Sequence, residues 1–394
     1  MLELLKPQPA DKIIALMGLY AADPRDGKID LGVGVYKDAN GKTPIMRAVK
    51  AAEARLHEAQ TSKSYVGLLG DLSFVDAMRN LVLGTSVAAD RVTGAQTPGG
   101  TGAIRQLAEL VKLANPQATV WLSDPTWPNH PAILKHLDIP TQSYRYFDAA
   151  TCEVNFDAMM EDLEQAQAGD VVLLHGCCHN PTGANLDLLQ WRAVTDLVLR
   201  KGLIPFVDLA YQGFGDGLED DVQGMRHLLG AVPQAMVAAS CSKNFGLYRD
   251  RVGVALVIAP DEKTRDLAKG ALSSLNRLNY SFPPDHGAAL VSILMNDADL
   301  RADWQAELEE MRTGMLDLRT GLAEELRRAT NSDRFDFVAN HRGMFSRLGL
   351  PPEAVEKLRD EHAIYMVGDS RINIAGLPKD GLTRLAQAVA AVLS

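Results

Sequence analysis

The chain has 394 residues, 46% of them hydrophobic and 23% charged, with a formal net charge of −10. At roughly 150 residues per domain, this length predicts two or three domains and a large core. No stretch approaches the roughly 20 apolar residues of a membrane span, and the acidic balance argues against a general nucleic-acid binder, which carries basic stripes.

The amino terminus, "MLELLKPQPADK", contains two prolines and no continuous apolar run. It predicts a short arm rather than a signal peptide, and so a cytoplasmic protein. The four cysteines, Cys152, Cys177, Cys178 and Cys241, lack a spaced framework and are expected to be free thiols. Ile13, Ile14, Leu16 and Met17 predict a helix packed into the core, with the lining of a pocket entrance as the alternative reading. "KIDLGVGVYKD" predicts a strand and a glycine turn.

Short apolar runs then alternate with amphipathic ones. Thr119 to Leu122, Asp170 to Leu174, Leu203 to Val207, Met236 to Ala239 and Val252 to Ile258 read as buried strands, with helices such as Gly102 to Leu113 and Leu188 to Arg200 between several of them. This alternation implies an α/β domain with a mostly parallel sheet covered on both faces. Beyond Asp297 comes a long charged helix in which Leu308, Met311, Met315, Leu318 and Leu322 keep helical spacing. Runs at Phe335 to Val338, Gly343 to Leu348 and Ile364 to Met366 suggest a smaller α+β domain, with "KIDLGVGVYKD" as a candidate discontinuous part of it. The expected division is 1–44 for the arm and part of the small domain, 45–297 for the large domain, and 298–394 for the interdomain helix and small domain.

Four segments could carry chemistry. In "LIPFVDLAYQGFGDG", Asp208 ends a strand, where open α/β sheets form their ligand crevice, and Tyr211 follows; a helix-capping acid is the plainer reading. "HGCCHNPTG" invites a metal, but adjacent cysteines cannot easily share a tetrahedral ion, so no metal site is expected. Its "NPTG" end is a turn that frees the Asn180 amide. "TPGGTGAIRQLAELVKLA" sets Gly100 and Thr101 at a helix start, where free N–H groups bind phosphate; a plain tight turn is equally compatible. In "SCSKNFGLYRDR", an ordinary exposed lysine is the plain reading of Lys243, but it stands among Ser240, Ser242, Asn244 and Gly246, and Arg251 adds a fixed cation suited to a phosphate monoester. An amine beside a phosphate site suggests an aldehyde cofactor that carries a phosphate, which is pyridoxal phosphate (PLP).

"SDPTWPNH", "HNPTG", "DLAYQGF", "SCSKNFGLYRDRVG", "NRLNYSFPPDHGA" and "SRINIAGL" occur together and in order. From about Ile13 onward the chain closely resembles the class I aminotransferases of fold type I, the aspartate and aromatic amino acid group. "DPTWPNH", "HGCCHNPTGANL", "AASCSKNFG" and "HRGMFSRLG" look most like the bacterial aromatic branch. The resemblance implies a PLP-dependent transferase fold with a mostly parallel seven-stranded sheet plus a smaller α+β domain, and a homodimer whose active site is shared between subunits.

It further implies that Lys243 holds the cofactor and then moves the substrate α-proton. Asp208 would pair with the pyridinium nitrogen, buttressed by His130. Tyr211 and Asn180 would bond the phenolate oxygen, and Trp127 would stack on the ring. Ser240, Ser242, Arg251, Gly100, Thr101 and the neighbouring subunit's Tyr65 would hold the phosphate. Arg371, with Gly34 and Asn180 nearby, would grip the α-carboxylate, and Arg277 would recognise a side-chain carboxylate across the subunit boundary. Phe282 stands where aspartate-specific members more often carry a polar residue, and an apolar wall there suits aromatic substrates.

The implied activity is ping-pong transfer of amino groups between tyrosine, phenylalanine or aspartate, with tryptophan a further candidate, and 2-oxoglutarate. A strict aspartate aminotransferase is the nearest alternative. A PLP lyase or decarboxylase is another, against which the two carboxylate-binding arginines argue. Nothing in the sequence supports a noncatalytic binding module, and a Rossmann dehydrogenase would need a glycine spacing that is absent.

Overall fold

A computed structural model describes residues 1–7 and 12–393 of the chain. Residues 8–11, in the expected arm, lie outside the described residues. The chain divides into two compact units, Pro44–Gly314 and a second that joins the residues up to Thr43 to those from Met315 on. The division falls inside one long helix, Ala298–Thr330.

Pro44–Gly314 is built on a seven-stranded sheet. In chain order its strands are β1 (Val92–Pro98), β2 (Val120–Asp124), β3 (Thr141–Arg145), β4 (Val171–His175), β5 (Ile204–Leu209), β6 (Ala235–Ser240) and β7 (Val252–Ile258). Across the sheet the order is β1, β7, β6, β5, β4, β2, β3, with β7 antiparallel to both its neighbours and the remaining pairs parallel. Every residue of β6 and β7 is buried, as the unbroken apolar runs of a doubly covered sheet require. The sheet is thus the mostly parallel α/β sheet that strand and helix alternation implied. The runs of the sequence missed β1 and β3. β3 is exposed at four of its five positions, so no apolar run marks it.

Helix Gly99–Ala114 turns Ala103, Ile104, Leu107, Ala108 and Val111 onto the sheet at helical spacing. There they join Leu122, Leu134, Val171, Leu173, Phe206 and Ala238 in one core cluster. Burying each large side chain contributes about 1.5–3 kcal/mol. This core stiffens the sheet edge where β2, β4, β5 and β6 all end. Because β7 runs the other way, its start at Val252, beside Arg251, returns to that same edge, Gly253 lying opposite Ser240.

In the other unit, Ile29–Asp30 pairs in parallel with Ile364–Tyr365, and β8 (Phe345–Arg347) pairs antiparallel with β9 (Arg371–Asn373). The amino-terminal helix forms over Lys12–Ala22, but none of its residues is buried, and Ile14 is 69% exposed. The core expectation for Ile13, Ile14, Leu16 and Met17 therefore fails. This helix is apolar almost all round, so periodicity selects no face. Leu16 packs close to Gly32, where an added Cβ would lie 2.4 Å from its Cδ2.

Candidate active site

Asp208 lies near the carboxyl end of β5, paired between His175 on one side and Ala238 on the other. Its Oδ2 is 3.2 Å from His130 Nε2. A carboxylate only accepts, so Nε2 carries the proton, and Nδ1 then accepts from the Thr126 hydroxyl at 2.8 Å. Thr126 also lies 3.3 Å from His175 Nε2. Burial pushes the Asp208 carboxyl up, yet the hydrogen bond from His130 and the nearby Lys243 outweigh it and hold the group below its usual range. His175, buried beside His130, is pushed down to about 3 and stays neutral. The result is a buried anion near the carboxyl end of β5, steadied by a chain of three polar side chains.

Lys243 follows β6, its Nζ 4.9 Å from the centre of the Tyr211 ring. Burial, partly offset by Asp208 and aided by Arg251, lowers its amine to about 8. About a tenth of the amine is therefore free at pH 7, far more than in an ordinary lysine, as a nucleophile or base requires. Asn180 and Tyr211 are buried, and Trp127 stands edge-on to His130 with ring centroids 5.3 Å apart.

Beside them is a small cup. Helix Gly99–Ala114 starts with Gly99 at φ 74°. An added Cβ there would come within 2.5 Å of Arg251 Nη2, and one on Gly100 within 2.9 Å of Ser240 Cβ. The Ser242 amide donates to Ser240 Oγ at 3.2 Å, and Arg251 Nη1 lies 3.4 Å from Ser242 Oγ. Unbonded amides at a helix start, two hydroxyls and one guanidinium are the donor set of a phosphate site. Gly99 and Thr126 escaped sequence reasoning. The "PGG" pair was a signal for the glycine, whereas nothing local marks Thr126.

Other predicted residues gather elsewhere. Tyr65, 83% exposed, stacks on Phe282 with centroids 4.6 Å apart, and the Arg277 guanidinium lies 5.7 Å from the same ring. In the second unit, Arg371 Nη2 donates to the Gly32 carbonyl at 3.0 Å, and the Phe345 ring lies 4.4 Å from its Cζ. Gly34 is pressed against that ring. Cys177, Cys178 and Asp221 have ligand atoms within 4.8 Å of one another. Asp221, however, accepts main-chain amides from Gly213, Gly215 and Asp216 and serves as the anchor of that loop.

The family model described as "Aminotransferase class I and II" matches residues 26–389. The chain belongs to that family. This aminotransferase is 57% identical over 389 residues to the aromatic-amino-acid aminotransferase of Paracoccus denitrificans, with 99% of each chain covered. It is 42% identical over 396 residues to the aspartate aminotransferase of Escherichia coli, with 100% of each covered. Among solved structures, an aromatic amino acid aminotransferase with 3-indolebutyric acid matches with a TM-score of 0.97 at 57% identity, covering 100% of both chains. The aromatic-amino-acid aminotransferase of Burkholderia pseudomallei covalently bound to pyridoxal phosphate matches at 0.97 and 40% identity, again covering 100% of both. The aminotransferase thus shares the fold of PLP-dependent transferases.

Proposed function

We propose that the protein is a PLP-dependent aminotransferase that moves amino groups between aromatic amino acids or aspartate and 2-oxoglutarate. The observation that carries this reading is the joint presence, at one sheet edge, of an amine lowered to about 8 and a buried carboxylate held anionic. The phosphate cup beside them completes the donor set of PLP. When bound, that cofactor supplies an electron sink for the charge left at the substrate α-carbon.

The chain's own groups do the rest. Lys243 would anchor the cofactor and, released by the substrate amine, would serve as the base that takes the substrate α-proton and the acid that gives it back. Asp208, oriented by His130, would hold the pyridinium nitrogen with its negative charge. Tyr211 and Asn180 would donate to the phenolate oxygen, and Trp127 would stack on the ring. Ser240, Ser242, Arg251, Gly100 and Thr101 hold the phosphate. Arg371, with the Gly34 segment, binds the α-carboxylate that all substrates share, and Arg277 binds a side-chain carboxylate. Tyr65 and Arg277 act in the site of a second copy, making the enzyme a homodimer. We place it in the cytoplasm; among the described residues no helix is long and apolar enough to cross a membrane.

Phe282 favours the aromatic reading over a strict aspartate enzyme. Two arginines for carboxylates favour amino transfer over a lyase or decarboxylase. The deciding experiment adds phenylalanine and then aspartate to the purified holoenzyme and follows the cofactor absorbance from its aldehyde to its amine form. Conversion by both is expected. Conversion by aspartate alone would make the enzyme strictly aspartate-specific, and the absence of any protein-bound cofactor band would remove Lys243 as anchor.

A further inference from the structure

Arg319 is completely buried, at 0% exposure, on the inward side of helix Ala298–Thr330. The apolar stripe of that helix runs through Leu308, Met311, Met315, Leu322 and Leu326, all buried, and Arg319 occupies the inward position between Met315 and Leu322. Its Nη1 donates to the Val338 carbonyl at 3.1 Å and to Ser346 Oγ at 2.8 Å. Nη2 donates to the carbonyls of Gly343 at 2.7 Å and Phe345 at 2.8 Å. Burying a guanidinium is costly, and a methionine or leucine of similar volume would serve stability as well. What the charge adds is direction. A rigid planar fork is satisfied by few arrangements of its acceptors, so it dictates the path of residues 338–346.

That path ends in β8, whose Phe345 pairs with Asn373 and whose Arg347 pairs with Arg371. The ring of Phe345 faces the Arg371 guanidinium at 4.4 Å, within cation–π range. It also presses on the Gly34 segment, where an added Cβ would lie 2.6 Å from the ring. On the main-chain side, Arg371 Nη2 holds the Gly32 carbonyl at 3.0 Å, while Asn373 Nδ2 holds those of Val33 at 2.6 Å and Val35 at 2.8 Å. Arg371 is therefore clasped between an aromatic ring and the 32–35 main chain, and Arg319 sets the position of the ring.

We propose that Arg319 is a positioning residue for carboxylate binding. By gripping Phe345 through its carbonyl, it keeps the ring under the Arg371 fork and the fork aimed before substrate arrives. The inference rests on Arg371 binding the α-carboxylate, and because every substrate carries that group, the effect is uniform across substrates.

The test uses the holoenzyme, with 3-phenylpropionate as an unreactive carboxylate probe. In Arg319→Met, the dissociation constant of the probe and the KM for phenylalanine and aspartate should rise together by about tenfold or more, the scale of one charge-assisted contact. kcat and the cofactor absorbance should not change. Phe345→Leu should reproduce this, and the double variant should be little worse than either single one. Arg319→Lys, with a point charge that cannot span four acceptors, should show a smaller rise. Unchanged probe affinity and KM in Arg319→Met, or additive losses in the double variant, would reduce Arg319 to a packing residue. If Arg319→Met does not fold, wild-type probe affinity in Arg319→Lys overturns the proposal. Arg371→Leu separates the two readings. If it leaves probe affinity intact, the assignment of Arg371 fails; if it weakens binding while Arg319→Met does not, only the present inference fails.

Discussion

Phe245 and Trp304 stack with ring centroids 4.5 Å apart and planes 3° from parallel. Both side chains are fully buried, and the indole N–H donates to the Asn244 carbonyl at 2.7 Å. Because Asn244 and Phe245 directly follow Lys243, this pair fixes the loop that carries the amine. Trp304→Ala should cost about 3–5 kcal/mol of stability by cavity formation. It should also speed loss of the cofactor, whereas Trp304→Phe, which keeps the stack, should lose only about 1 kcal/mol. Denaturant midpoints and the rate of cofactor release check both.

His130 sets the charge of Asp208. The carboxyl is held low in the folded protein, so its contribution to stability is present above the unfolded pKa and is lost as pH falls through the folded one. His130→Phe removes the Nε2 donor and should raise the Asp208 pKa, moving the acid limb of the kcat/KM profile to higher pH. Asp208→Asn removes the charge altogether and should cut kcat by about 100-fold or more, as loss of a preorganised electrostatic contact does.

Lys243, lowered from 10.5 to about 8, disfavours its proton in the fold. The unfolded chain binds that proton more tightly, so this group makes stability rise with pH between about 8 and 10.5. Only the neutral amine attacks an aldehyde. The rate at which apoprotein takes up PLP should therefore climb with pH and level off above about 8. A rate flat across that range would contradict the lowered amine.

Arg277 sits at the end of its helix, between Ser281 and the face of Phe282. Arg277→Leu should lower kcat/KM for aspartate by about 100-fold, the ~3 kcal/mol of a charge-assisted contact, and leave phenylalanine within about threefold. Equal losses on both substrates would end the assignment. Phe282→Asn should shift preference toward aspartate and, by unstacking Tyr65, weaken cofactor retention as well.

The sequence by itself determined what is local. Strands β4 to β7 were legible because a sheet covered on both faces needs uninterrupted apolar runs, and Asp208, Lys243 and Arg251 stood out because charges next to such runs need partners. Tertiary structure decided the rest. The edge strand β3 carries no apolar run, and its place was set only by pairing with β2. The spacing of the long helix placed Leu318 inward, but Leu318 is half-buried and its neighbour Arg319 is buried, because four acceptors from residues distant along the chain can repay a cation its lost water. Thr126 and Phe345 likewise had no local mark. Their importance comes from the side chains they meet, His130 and Arg371, and such meetings depend on packing rather than on the order of residues along the chain.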